Sequence, residues 1–173
     1  DGETQGELVL RAPWLTQGYF REPEKSQELW AGGWMHTGDV ATISPMGFIE
    51  IRDRIKDVIK TGGEWLSSLE LEDLISRSPL VAEVAVVGVP DPRWDERPFA
   101  LIVPAAGQTV TADAMAEHLM PFVEEGHINK WAIPRQIAVV TEIPKTSVGK
   151  LDKKRIRTEI AGWLDAGAEC ISS

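Results

Sequence analysis

The sequence is poor in the residues that staple a fold, bind metals or cross membranes. Cys170 is the only cysteine in 173 residues. No internal disulfide can form, so a disulfide-stapled secreted scaffold is excluded and a cytoplasmic setting is expected. The three histidines, His36, His118 and His127, are scattered, and with one cysteine they offer no metal-ligand spacing, so no metal site is expected within the chain. No stretch approaches the roughly 18 apolar residues of a membrane span. Basic residues are the minority, 18 Lys and Arg against 27 Asp and Glu, and the net charge of −9 argues against a general binder of nucleic acid or anionic membrane. G-x-S-x-G and G-x-G-x-x-G are both missing. The polar start, Asp1-Gly2-Glu3-Thr4-Gln5, lacks an initiator Met and the character of a signal peptide. The chain is therefore expected to be a piece of a longer protein.

What is present is a globular composition, 43% apolar and 26% charged, enough for one ordinary domain or two small ones. The first 50 residues are rich in turns and short strands. GELVLR (6–11) reads as a strand, residues 22–29 as a short polar helix, and 34–43 and 48–51 as a hairpin around Pro45-Met46-Gly47. Residues 52–60 (RDRIKDVIK) are too charged for a buried helix and read as a surface strand or hinge. Thr61-Gly62-Gly63 is a turn. Ser67 with Glu70 three residues on forms a capping-box pattern for a helix carrying Leu71, Leu74 and Ile75. VAVVGV (84–89), FALIV (99–103) and QIAVV (136–140) read as buried strands. Thr111 and Asp152 are N-caps of two further helices, the last carrying Ile156, Ile160, Trp163 and Leu164 on one face. The expected fold is α+β: a small β-rich lobe (1–53), then a domain (54–173) with a three-stranded sheet packed by helices. The seven tryptophans read as core and interface fillers, with Trp65 beside the Gly pair set apart.

Three constellations can carry chemistry. In His36-Thr37-Gly38-Asp39, a carboxylate beside a glycine suits a ribose diol, or simply a tight turn. Arg52, Arg54, Lys56 and Lys60 precede Gly62-Gly63 and suit phosphate or ribose oxygens, or an edge strand guarded by charge. PKTSVGK (144–150) delivers a lysine from a Ser/Thr-rich loop, or is only a flexible loop. It is not a Walker A loop, because Pro144 and Leu151 stand where Gly and Ser or Thr are required. Between Lys130 and Arg157, eight basic residues face two acidic ones. This segment is either a surface for a phosphate-rich ligand or a solvated helix face.

In this order, WMHTGDVA, RDRIKDVIKTGGEWLSSLELED and PKTSVGKLDKKRIR resemble the adenylate-forming superfamily of acyl-CoA synthetases, luciferases and amino-acid adenylation domains. The resemblance covers about residues 6–165, and GGEW-x-SS is closest to medium-chain fatty-acid and methylmercaptopropionate ligases. It implies a carboxylate attacking the α-phosphate of Mg-ATP to give an acyl-adenylate and pyrophosphate, then CoA displacing AMP. It also implies a lid (54–173) that rotates between the halves and a preceding lobe (1–53) that ends a large domain not included here. By resemblance, Asp39 and Arg54 hold the ribose and Lys56 is the hinge. Lys150 reaches the α-phosphate and carboxylate, and Lys60, Gly62, Gly63 and Trp65 face the thioester-forming site. Trp65 stands where some relatives carry a CoA-contacting Arg, and Asp53 where Gly is common. The implied ligands are ATP or AMP, Mg2+ held mainly by the missing domain, coenzyme A and a carboxylic acid; the missing domain is itself a partner. Two alternatives stay open: an adenylating enzyme with another acceptor (a carrier-protein thiol, or luciferase-like oxidation), and a non-catalytic interaction module.

Overall fold

The computed structural model describes residues 1–165 and 169–170. The chain divides into two compact units, Asp1–Lys56 and Asp57–Ser173. The division lies three residues beyond the expected 53/54 boundary, because the strand that carries Arg54 belongs to the first sheet.

In the first unit, β1 (Gly6–Leu10), β2 (Met35–Ile43) and β3 (Ile49–Arg54) form an antiparallel sheet in that order. Helix α1 (Pro23–Leu29) has Pro at its start, where the missing N–H costs nothing. The hairpin joining β2 to β3 turns at Gly47, whose φ of 83° suits glycine.

The second unit is a sheet covered on both faces. Its centre is a long hairpin, β6 (Val81–Asp91) with β7 (Asp95–Pro104), and β8 (Gln136–Val139) lies parallel to β7. These are the three strands read from the apolar runs. They are extended by β4 (Ile59–Thr61), β5 (Glu64–Leu66) and β9 (Glu169–Cys170), so the sheet has six strands rather than the expected three. The added strands are two or three residues long, too short for a pattern to show. Helices α2 (Ser68–Ser76) and α3 (Ala112–Glu124) cover one face, where Leu71, Leu74, Met115 and Leu119 meet Val84, Val86, Ala100 and Ile102. On the other face Ala85, Val87, Phe99 and Leu101 meet Ile143 and Ile156. Burial on both faces explains why the runs are continuous rather than alternating.

The caps sit where they were read. Ser67, Thr111 and Asp152 accept from the backbone N–H three residues on, at 3.1, 3.2 and 3.0 Å. The expected single last helix is two short ones, α4 (Lys153–Thr158) and α5 (Ile160–Asp165), separated at Glu159. The tryptophans divide: Trp131 and Trp163 pack against the two buried clusters, none is fully buried among the described residues, and Trp14, Trp34, Trp65 and Trp94 are exposed. The compact Ile, Val and Leu side chains of the two-faced sheet fill the interior instead.

Candidate functional site

In the first unit, β2 and β3 place Asp39 opposite Arg54, and the Asp39 Oδ1 lies 3.6 Å from the Arg54 Nε. The Arg54 side chain is exposed and that of Asp39 partly so. Asp53, just before Arg54, is 2% exposed and its Oδ1 accepts from the Arg54 N–H at 2.7 Å.

A frame from β1 holds the Asp39 loop. The Glu7 Oε1 accepts from the Gly38 N–H at 3.1 Å and its Oε2 lies 2.6 Å from the His36 Nδ1. The Thr37 hydroxyl donates to the Leu8 carbonyl (2.7 Å) and accepts from the Asp39 N–H (3.1 Å). Gly38, at φ 72°, makes the turn. Sequence reading missed Glu7. The signal lies only in strand pairing across 29 residues, invisible without the register.

The His36 Nε2 faces the Ala31 carbonyl at 3.1 Å. With an acceptor oxygen at each ring nitrogen, only the doubly protonated imidazole satisfies both. The hydrogen bond to Glu7, then that to Ala31, raises the His36 pKa above its ordinary value. The sign follows: a raised folded-state value means that this pair's stabilisation is complete below about pH 6.5 and is lost as pH rises through the folded-state value. Replacing Glu7 with Gln is expected to move the His36 titration midpoint, read by NMR, down toward that of an exposed histidine. An unchanged midpoint would assign the shift to something other than Glu7.

Lys56, exposed, closes the first unit. Asp57 opens the second and is anchored there by the Arg157 guanidinium at 2.8 Å.

In the second unit, β4 and β5 form a tight hairpin turning at Gly62-Gly63. Their φ values of 60° and 85° are those of a two-residue turn that matches strand twist. The hairpin brings Lys60, Gly62, Gly63 and Trp65 together, with Lys60 directly opposite Trp65. The Lys60 N–H donates to Glu96 Oε2 at 2.8 Å while its side chain is exposed. A Cβ on Gly62 would lie 3.2 Å from the Trp94 ring, and the Gly62 N–H donates to the Trp94 carbonyl at 2.9 Å. Gly63 faces open space. Trp94, a further member of this cluster that sequence reading missed, has the Arg93 guanidinium 5.0 Å and the Arg97 guanidinium 5.9 Å from its ring. Burial, with Arg135 nearby, lowers the pKa of Arg97.

Lys150 stands on a different loop, between β8 and α4. That loop is closed on itself: Thr146 N–H to the Lys150 carbonyl (2.7 Å), Gly149 N–H to the Thr146 carbonyl (2.9 Å), and Asp152 N–H to the Pro144 carbonyl (2.9 Å). Lys145 clamps it to Glu83 at 2.9 Å. The loop is thus structured, not merely flexible. Lys150 is exposed, and its ammonium has no hydrogen bond or ion pair among the described residues. The basic segment that follows is not one solvated face: Lys153 is buried and Arg157 is paired, while Lys154 and Arg155 are exposed.

The AMP-binding enzyme C-terminal domain family matches residues 70–150. A 3-methylmercaptopropionyl-CoA ligase of Ruegeria lacuscaerulensis is 45% identical over 95% of this chain and 29% of its own length. A long-chain-fatty-acid–CoA ligase of Thermus thermophilus is 41% identical over 94% of this chain and 29% of its own. The amide bond synthetase McbA from Marinactinospora thermotolerans superposes with a TM-score of 0.77 at 35% identity, covering 92% of this chain and 31% of its own. The chain spans about three tenths of the length of the curated relatives it matches. Residues 70–150 are thus an AMP-binding enzyme C-terminal domain, carried on an α+β fold that the chain shares with adenylate-forming enzymes.

Proposed function

We propose that this chain is the C-terminal part of an AMP-forming acyl-CoA ligase acting on a fatty acid, medium-chain by the wording of its Gly loop. The observation that carries the reading is Lys150: an exposed ammonium without a partner among the described residues, on a hydrogen-bonded loop. In the first half-reaction, a carboxylate oxygen attacks the α-phosphorus of ATP and the bond to pyrophosphate breaks. Lys150 meets the negative charge building on the α-phosphoryl and carboxylate oxygens, and Asp39 accepts from the ribose hydroxyls beside Arg54. In the second, CoA thiolate attacks the acyl carbon and AMP leaves. Lys60, Gly62, Gly63, Trp65 and Trp94 line the approach of the thiol arm, with Gly63 leaving the room. Lys56 is the hinge about which the second unit, as a lid, changes face between the halves.

Mg2+ travels with the ATP phosphates. Among the described residues no group of three or more His, Cys, Asp or Glu side chains could hold a metal ion, so its ligands in this reading lie in the rest of the parent protein. The apolar strip Ile43, Phe48, Ile49 and Ile51, each about half exposed or more, is covered by that same remainder, and the chain alone is inactive. No described helix is long and apolar enough to cross a membrane. The likeness to an amide bond synthetase keeps one second reading in view, in which an amine rather than CoA takes the acyl group.

The test uses the full-length parent with Gly63→Leu, whose side chain fills the open space at the turn and strains a backbone held at φ 85°, so a thermal melt is read alongside. Acyl-adenylate and pyrophosphate formation from octanoate and ATP is expected to persist, while octanoyl-CoA formation falls at least about tenfold, the scale of a steric misplacement at a reacting centre. Production of ADP and phosphate, or an equal fall in both halves, would contradict the reading.

A further inference from the structure

The reaction described above leaves unused the one buried lysine among the described residues. Lys153 is 8% exposed. Its ammonium lies 2.7 Å from Glu72 Oε1 and donates to the Ser68 hydroxyl at 2.7 Å. The same Glu72 oxygen accepts from the Val86 N–H at 2.8 Å. One ammonium therefore joins the first residue of α4, the N-terminal half of α2 and the middle of β6.

A buried ion pair is a poor route to stability. Desolvating both charges offsets most of the attraction, and replacing both members by apolar side chains of similar volume is often neutral, whereas removing one alone strands the other. What such a pair supplies is a fixed geometry. Two features say what that geometry serves. First, Lys153 follows Lys150 by three residues, and α4 has only six residues, too few to hold its own direction without a tertiary anchor. The 144–152 hydrogen bonds fix the shape of the Lys150 loop; its aim relative to the sheet depends on the first turn of α4. Second, Ser68 opens α2 directly after β5, the strand that carries Trp65. The joint thus ties the segment bearing Lys150 to the segment that follows the Gly62-Gly63 turn.

We propose that Lys153, through Glu72 and Ser68, is a positioning residue that aims Lys150 for acyl-adenylate formation. This rests on the ligase reading above. In the full-length parent, Lys153→Met keeps the volume and removes the charge, leaving Glu72 without its counter-ion, so the variant's thermal melt is read alongside. The expected result is a fall in kcat for adenylation of about 10–100-fold, the scale set by an ångström of misplacement, with the KM for ATP within about twofold of the parent. Thioester formation from supplied acyl-adenylate stays within about twofold of the parent as well. Glu72→Gln, which keeps the oxygen that accepts from Val86, is expected to show the same split in milder form and carries the test if Lys153→Met fails to fold. Equal losses in both halves, no loss in either, or loss of the folded state in both variants would overturn the proposal. Lys150→Ala run in parallel separates the two claims. If it leaves adenylation intact, the ligase reading fails. If it abolishes adenylation while Lys153→Met spares it, only the positioning role fails.

Discussion

Lys150→Ala in the full-length parent is expected to slow acyl-adenylate formation by about 10²–10³, equivalent to about 3–4 kcal/mol of barrier. The size follows from where charge develops. As the carboxylate approaches the α-phosphorus, negative charge concentrates on oxygens from which water is being excluded, and a fixed ammonium there is worth more than in bulk solvent. In the chain as described, this ammonium has no internal partner to give up. Its removal leaves no buried charge behind and creates no cavity, so the melting temperature of the variant should match that of the parent. Measuring pyrophosphate release alongside a thermal melt checks both parts. A slow enzyme with an unchanged melt is the expected pair of results; a lower melting temperature with unchanged turnover is the opposite one.

Phe99→Ala is expected to destabilise the second unit by about 3–5 kcal/mol, the usual range for deleting a buried aromatic ring. Phe99 is fully buried and sits at the centre of β7, opposite Val87 on one side and Gln136 on the other. Its ring belongs to the cluster that includes Ile143 and Ile156, the residues that flank the Lys150 loop from the strand side and the helix side. A cavity there removes a large share of a net stability that for most domains is only about 5–15 kcal/mol. Denaturant unfolding of the chain measures it, with Phe48→Ala as the contrast. Phe48 is 68% exposed, and its loss should cost no more than about 0.5 kcal/mol. A loss below about 1 kcal/mol for Phe99 would mean that the site collapses without a cavity.

Much of this was legible before any coordinates. Ser67, Thr111 and Asp152 are cap residues ahead of apolar runs with helical spacing, and each caps a helix. Val84–Val89 and Phe99–Val103 lack alternation because both of their faces are covered. Gly62-Gly63 announces a turn needing positive φ twice. What escaped notice depended on long-range pairing. KKRIR looks uniformly basic in sequence, and only packing of α4 against β6 and α2 turns Lys153 inward while Lys154 and Arg155 stay outside. Glu7 gains its role from register with β2, and Trp94 from the β6–β7 hairpin returning against the Gly turn. The break at Glu159 and the short outer strands β4, β5 and β9 carry too few residues for a period to show. Composition alone does not say which tryptophans go where: Trp131 and Trp163 pack on the core, while Trp14, Trp34, Trp65 and Trp94 stay exposed.

The most direct test of the central claim supplies preformed octanoyl-adenylate and CoA to the full-length Lys150→Ala variant and follows octanoyl-CoA in a single turnover. If one lysine serves only the face that makes the adenylate, the variant will form thioester at the rate of the unmodified parent. A thioester rate depressed as far as its adenylation rate would contradict a lid that presents different residues to the two halves.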